Sequence, residues 1–270
     1  CSKIYNMNPL LTRLLSGIIY AAIFLGAISY SKYTFVGLIA FFALLCIYEF
    51  HKLIQFKNIF PYGLFIGLGV FLFYNPESQI ILPMLIVTLI ASIQLIYRLY
   101  SKTKLQSSRY VEKLDISLRY IVFSFCFLIL LPYEGGIYNP YILINILILI
   151  WTNDTFAFLI GKNFGKTKLF KSVSPKKTIE GFIGGVVFAV ITGIIISYFS
   201  NSFNILTWSI IALIISIIGS VGDLVESNFK RHANVKDSGN IMPGHGGMLD
   251  RLDSLFFAAP FVYLYLHYFI

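Results

Sequence analysis

Residues 227–253 read SNFKRHANVKDSGNIMPGHGGMLDRLD, and they lie between two long apolar runs at about 204–222 and 250–269. Each run approaches the length of about 20 residues that a bilayer-spanning helix requires. The frame is therefore a set of membrane helices with chemistry concentrated in a connecting segment. That segment holds Lys230, Arg231 and Lys236, a His-Gly-Gly turn at 245–247 and an Asp-Arg-Leu-Asp tetrad at 250–253. Ammonium and guanidinium groups beside carboxylates suit phosphates and a hard divalent cation at the edge of a bilayer.

Composition extends the same reading to the whole chain. Of its 270 residues 57% are hydrophobic and 12% charged, and its mean hydropathy is +0.79. A soluble chain carries about 25% charged residues, so lipid has to cover much of this surface. The formal net charge of +9 does not point to nucleic acid, because the basic residues sit in short segments between apolar runs. There they report topology and contact with anionic groups. Cys1, Cys46 and Cys126 lack metal-ligand spacing. Cys46 and Cys126 fall inside apolar runs and are expected to be inert packing. Cys1 precedes Met7, which is taken to open the first helical region.

Nine apolar runs are expected to be helices, at about 12–29, 34–51, 59–74, 79–97, 118–133, 140–160, 179–199, 204–222 and 250–269. The third and fifth are short enough to be tilted or distorted. The fold expected is all-α and polytopic, a single membrane domain over 1–270. Residues 1–139 supply N-terminal helices and 140–270 the chemistry-bearing helices and loops. Basic residues alternate between the connections. Lys52 and Lys57, the stretch 98–119, loop 161–178 and the 227–253 segment are rich, whereas 75–80, 134–139 and 200–203 have none. Under the positive-inside rule this puts the N-terminus in the cytoplasm, the C-terminus outside and the basic loops on the cytoplasmic face.

The acids are few, twelve in all. Asp250 and Asp253 share one helical face at the start of the ninth run, where the helix dipole favours carboxylates. Asp223 closes the eighth run, and a hairpin of the two brings it opposite Asp250. Asp223, Asp250 and Asp253 are the expected oxygen ligands of Mg²⁺, with capping as the plainer role of each Asp. Glu226 shares a face with Asp223 and reads as cover for a helix end. Asp154 lies well inside the sixth run, where a carboxylate costs about 2.5–3.5 kcal/mol at mid-membrane depth. It is expected to face a site, or to form a polar pair with Asn153 or Thr152.

Segment 161–181, GKNFGKTKLFKSVSPKKTIEG, brings glycine and lysine together without the spacing of a P-loop. Ser174 and Pro175 suggest a helix entry, with Thr178 and Glu180 in its first turn. Lysines at a helix start oppose the dipole, which singles out Lys176 and Lys177 as phosphate contacts. The glycines around His245 could form an anion nest. No Gly-x-Ser-x-Gly elbow supports a hydrolytic triad.

Three motifs carry a resemblance. They are Ser227-x-Phe229-Lys230-Arg231 with Lys236-Asp237-x-Gly239 and Pro243-x-His245-Gly246-Gly247-x-x-Asp250-Arg251-Leu252-Asp253; Asp154-Thr155-x-Ala157 with Gly161-Lys162-x-Phe164-Gly165-Lys166; and Ser174-Pro175-Lys176-Lys177-Thr178-Ile179-Glu180-Gly181. Together they resemble the signature of phosphatidate cytidylyltransferases, the CDP-diacylglycerol synthases. Met242 and Ile179 are its departures, and the N-terminal helices match in hydropathy alone. The resemblance implies conversion of CTP and phosphatidate to CDP-diacylglycerol and pyrophosphate at the bacterial inner membrane, by a homodimer. It implies catalytic roles for Asp223, Asp250, Asp253, Lys230 and Arg251, and Mg²⁺ with a second cation near Asp253 and Asp154. Phosphate-contacting roles fall to Ser174, Lys176, Lys177, Ser227, Arg231, Lys236, His245, Gly246 and Gly247. A CTP-dependent lipid kinase would share location and nucleotide but release CDP. A transporter would use Asp154 as an ion site and show an inverted repeat, which the sequence lacks.

Overall fold

The computed structural model describes residues 9–101, 109–200, 202–242 and 246–270. The chain runs α1 (Pro9–Tyr30), α2 (Lys32–Leu53), α3 (Phe60–Tyr74), α4 (Ile81–Tyr100) and α5 (Tyr110–Ile116). A π-helical segment, Ser117–Val122, leads into α6 (Phe123–Leu130). After the two-residue strands β1 (Tyr133–Glu134) and β2 (Ile137–Tyr138) come α7 (Pro140–Phe164), β3 (Lys168–Phe170), β4 (Ser174–Thr178) and α8 (Ile179–Phe199). Then α9 (Ile205–Ile214), a second π segment (Ile215–Gly219) and α10 (Ser220–His232) run end to end, and α11 (Leu249–Tyr268) closes the chain. Every one of the nine apolar runs is helical. Among the described residues five stretches are long and apolar enough to cross a membrane, namely α2, α4, α7, α8 and the rod Ile205–His232, which makes this a multi-pass membrane protein.

Local chemistry explains where helices begin. Ser31 and Thr34 form a reciprocal capping box at α2. Asn139 accepts from the Tyr141 amide ahead of α7, with Pro140 in the first turn. Asn204 caps α9 through the Thr207 amide at 2.9 Å. The expected helix entry at Ser174 and Pro175 is corrected. Ser174–Thr178 is a strand paired antiparallel with β3, and the cap is Thr178, whose hydroxyl accepts from Gly181 N. The ladder satisfies backbone groups that a helix at 174 would have claimed, so the all-α expectation misses two small hairpins. The distortion expected in the fifth run is present as its π segment, and the eighth run carries another. The third run is a plain helix over Phe60–Tyr74.

Packing is tightest where side chains are smallest. Between α7 and α8, a Cβ at Gly181 would lie 2.6 Å from Ala157 O and 3.0 Å from Gly161 Cα, and one at Gly185 would lie 2.8 Å from Asn153 O. Small residues let the two backbones touch, which substitutes for the hydrophobic drive that helices lack against each other in lipid. Phe156 and Phe188 stack beside this crossing with centroids 3.7 Å apart. Helix α6 is central, with every residue from Ser124 to Leu130 buried. Phe50 of α2 meets Phe229 of α10 edge-on at 5.1 Å, and Tyr120 of the first π segment meets Phe256 of α11 at 5.2 Å. These aromatics join N-terminal helices to the polar segment's two flanks. Cys46 and Cys126 are free and buried.

The two ends of the bundle are distinct. Tyr138 donates to Ile28 O and Asn139 to Ser202 at the basic-poor end. Lys113 donates to Gln55 O and Arg231 to Val173 O at the basic-rich end. Gly181→Val should force the α7–α8 backbones apart, an overpacking cost of about 1–3 kcal/mol. Gly63→Ala enters open space and should leave the thermal midpoint in detergent unchanged. Equal midpoints for the two variants would contradict the crossing.

Candidate active site

A cavity of about 760 Å³ opens at the basic-rich end. Its polar lining is drawn from four elements. Helix α7 contributes Asp154, β4 contributes Lys176 and Lys177, α10 contributes Asp223 and Lys230, and α11 contributes Asp250, Arg251 and Asp253. Its apolar lining comes from Tyr20 and Ala21 of α1, Ile150, Trp151 and Phe158 of α7, and Phe182 of α8.

On α10, Asp223, Glu226 and Lys230 fall at steps of three and four, so they share one face. The π segment just before α10 carries an extra residue per turn, and such segments recur at functional sites. Lys230 is the hub. Its ammonium pairs with the Glu226 carboxylate one turn away and with Asp250 Oδ1 at 2.6 Å. Lys177 reaches from β4 to pair with Asp223, and Ser227 donates to Asp223 Oδ1 at 3.2 Å. Burial pulls the Lys177 ammonium down, but Asp223 against it, with Asp253 and Asp154 nearby, holds its pKa above the ordinary lysine value.

Asp223, Glu226 and Asp253 each offer a carboxylate oxygen within 4.8 Å of the others. Glu226 is fully buried, and among the described residues its Oε1 has no hydrogen-bond partner. The three form an oxygen-only set, which suits a hard divalent cation. The sequence expectation placed Asp250 in that set and left Glu226 outside. In the structure Asp250 is otherwise engaged. Its Oδ1 takes Lys230, and its Oδ2 accepts from Ser238 N at 2.9 Å, Ser238 Oγ at 2.8 Å and Gly247 N at 2.8 Å. Glu226 was legible, lying three residues from Asp223 and four from Lys230, but its place at a helix end reads equally as solvent cover.

Several expected phosphate contacts are elsewhere. The Arg231 guanidinium donates to Val173 O at 3.2 Å and Val235 O at 2.9 Å, tying the β3–β4 hairpin to α10. Arg231, Lys236 and Ser174 do not line the cavity. Ser227 serves Asp223, and Gly247 serves Asp250. Gly246 pairs with Met242 at a φ of 91°, where glycine is favoured. His245 lies outside the described residues. Asp154 faces the cavity, with Asn153 Nδ2 3.5 Å from its Oδ1.

The fold and site thus define a multi-pass membrane protein with clustered carboxylates and lysines at one mouth of its bundle. The cytidylyltransferase family model matches residues 11–269. The chain is 37% identical to the phosphatidate cytidylyltransferase of Staphylococcus haemolyticus (strain JCSC1435) over 256 residues, 92% of this chain and 95% of that one. It is 34% identical to the phosphatidate cytidylyltransferase of Bacillus subtilis (strain 168) over 262 residues, 94% and 96% of the two chains. The chain belongs to the cytidylyltransferase family, whose members are nucleotidyltransferases.

Removing Lys230 strands two buried carboxylates, and breaking a buried pair costs about 3–5 kcal/mol. Lys230→Met should lower the unfolding midpoint sharply, and adding Glu226→Gln should recover part of the loss. A double variant no more stable than Lys230→Met would show that Glu226 does not depend on this ammonium.

Proposed function

We propose that this chain is a CTP:phosphatidate cytidylyltransferase, forming CDP-diacylglycerol and pyrophosphate for phospholipid synthesis. The observation that carries the reading is the cavity itself, whose lining combines carboxylates and lysines with apolar side chains. An amphiphile with a phosphate head and acyl tails suits both kinds of lining.

The chemistry needs little from a base. A lipid phosphate oxygen, already anionic, attacks the α-phosphorus of CTP. The new P–O bond forms as the bond to the β-phosphate oxygen breaks, and pyrophosphate leaves with that electron pair. Charge neutralisation and in-line placement are what the residues supply. Lys177 and Lys230 are held in place by Asp223, Glu226 and Asp250, and Lys176 and Arg251 stand at the accessible rim. Asp223, Glu226 and Asp253 would hold Mg²⁺, which when bound neutralises phosphate charge. Asp250 lines the same cavity and reaches that ion only if Lys230 leaves its Oδ1. A second cation with Asp154 belongs to the same reading.

The topology we infer has nine crossings in a bacterial inner membrane, the N-terminus and this site on the cytoplasmic side and the C-terminus outside. The segregation of basic-rich and basic-poor connections to opposite ends supports it. The family resemblance adds a homodimer, which cross-linking in membranes would reveal.

With α-labelled CTP and phosphatidate vesicles, the purified protein should form CDP-lipid and pyrophosphate only with Mg²⁺ present. Asp223→Asn and Asp250→Asn should each reduce this to background while leaving the protein folded. CDP with a newly phosphorylated lipid alcohol would instead identify a kinase, and near-normal activity of Asp223→Asn would remove the metal proposal. In a cysteine-free background, Lys171→Cys should label from the cytoplasmic side and Ser202→Cys from the opposite side. The reverse pattern would invert the topology.

A further inference from the structure

Glu49, near the end of α2, is a carboxylate outside the cavity that none of the reaction chemistry uses. It is 1% exposed. Its Oε1 accepts from Met248 N at 3.1 Å and its Oε2 from Leu249 N at 2.7 Å, across about two hundred residues of sequence. These are amides at the start of α11, and Met248, the N-cap residue, makes no side-chain cap of its own. A helix start leaves its first four N–H groups without partners and carries partial positive charge. Glu49 therefore caps α11 from another helix, and α11 offsets the burial of Glu49.

The contact continues into the site. Ser238 Oγ lies 3.2 Å from Glu49 Oε2 and 2.8 Å from Asp250 Oδ2, and Ser238 N donates to the same Asp250 oxygen. Asp250 in turn holds Lys230. Two motif glycines make room for this carboxylate. A Cβ at Gly239 would collide with Glu49 Oε1, and one at Gly247 would lie 2.6 Å from both Glu49 oxygens. The steric demand for glycine at 239 comes from this buried acid, and at 247 from the acid together with Ser238 Oγ.

We infer that Glu49 is a positioning residue of the site, fixing the α11 N-terminus and, through Ser238, the Asp250 carboxylate that holds Lys230. The catalytic half of this inference rests on the cytidylyltransferase reading above; the capping half does not. Losing such a supporting partner typically costs about 10–100-fold in activity.

Two measurements test it. Hydrogen exchange needs no substrate. In Glu49→Gln, which keeps one acceptor oxygen, amides of 246–250 should lose part of their protection, and in Glu49→Met more, while α7 and α8 stay protected. Wild-type protection of 246–250 in Glu49→Met overturns the inference, whatever the activity. For turnover, Glu49→Gln should lower kcat for CDP-lipid formation about tenfold or more per folded protein. Because both residues act through Asp250, adding Ser238→Ala should cost much less than it does alone. Strictly multiplicative effects, or an unchanged kcat, would overturn the route to the site. Gly239→Ala, which pushes on the same carboxylate without removing it, should lower kcat in parallel, and a wild-type kcat there counts equally against the route. If wild-type protein forms no CDP-lipid, the functional reading has failed, and the exchange pattern alone decides the capping.

Discussion

A carboxylate inside a membrane bundle has to meet positive charge or N–H groups, because lipid and apolar side chains offer it nothing. This protein gathers several such groups at one end, and the surrounding structure is arranged to answer them. Lys230 answers Glu226 and Asp250, Lys177 answers Asp223, and the start of α11 answers Glu49. Each answer comes from a different element than the acid it serves, except the single-turn pair on α10. The charges therefore fasten α2, β4, α10 and α11 together as much as they prepare a site.

That fastening depends on close backbone approach elsewhere. The glycine crossing of α7 and α8 fixes where β4 emerges, since Thr178 both caps α8 and packs against Gly161 and Gly165. Glu180 accepts from Lys166 N and Thr167 N, closing the hairpin back onto its helix. Lys177 is thereby delivered to Asp223 by a short, braced strand. Arg231, drawn to Val173 O, holds the tip of that hairpin against α10. A basic residue in a phosphate-like motif here donates to the main-chain carbonyls of Val173 and Val235.

Much of the site was legible in residues 140–270. Asp223, Asp253, Lys177 and Lys230 stood out because charge in an apolar sequence is rare and because spacing put neighbours on one helical face. Gly247 and Ser227 stand in recognisable motifs, but their partners are not legible, since nothing local distinguishes a turn that holds phosphate from one that holds Asp250. Glu49 carries no local signal. A lone acid in the last turn of an apolar helix looks like a residue at the bilayer interface, and its partners lie about two hundred positions away. The strand at 174–178 was hidden for a related reason, as Ser-Pro before a helix-like run is a sound local signal that tertiary pairing overrode.

The sequence by itself determined the membrane setting, the positions of the helices and the alternation of basic connections. Those follow from hydropathy and charge along the chain, which are local quantities that the bilayer reads directly. It also determined which segments hold the clustered charges, because polar groups are costly in such a chain. Only the tertiary structure decided which carboxylates meet. Asp223, Glu226 and Asp253 come within ligand distance, while Asp250 turns to Lys230 and Ser238, and Glu49 arrives from α2. That choice is made by π segments, glycine crossings and a capping contact between distant helices. Each depends on how surfaces fit in three dimensions, and no spacing along one chain expresses it.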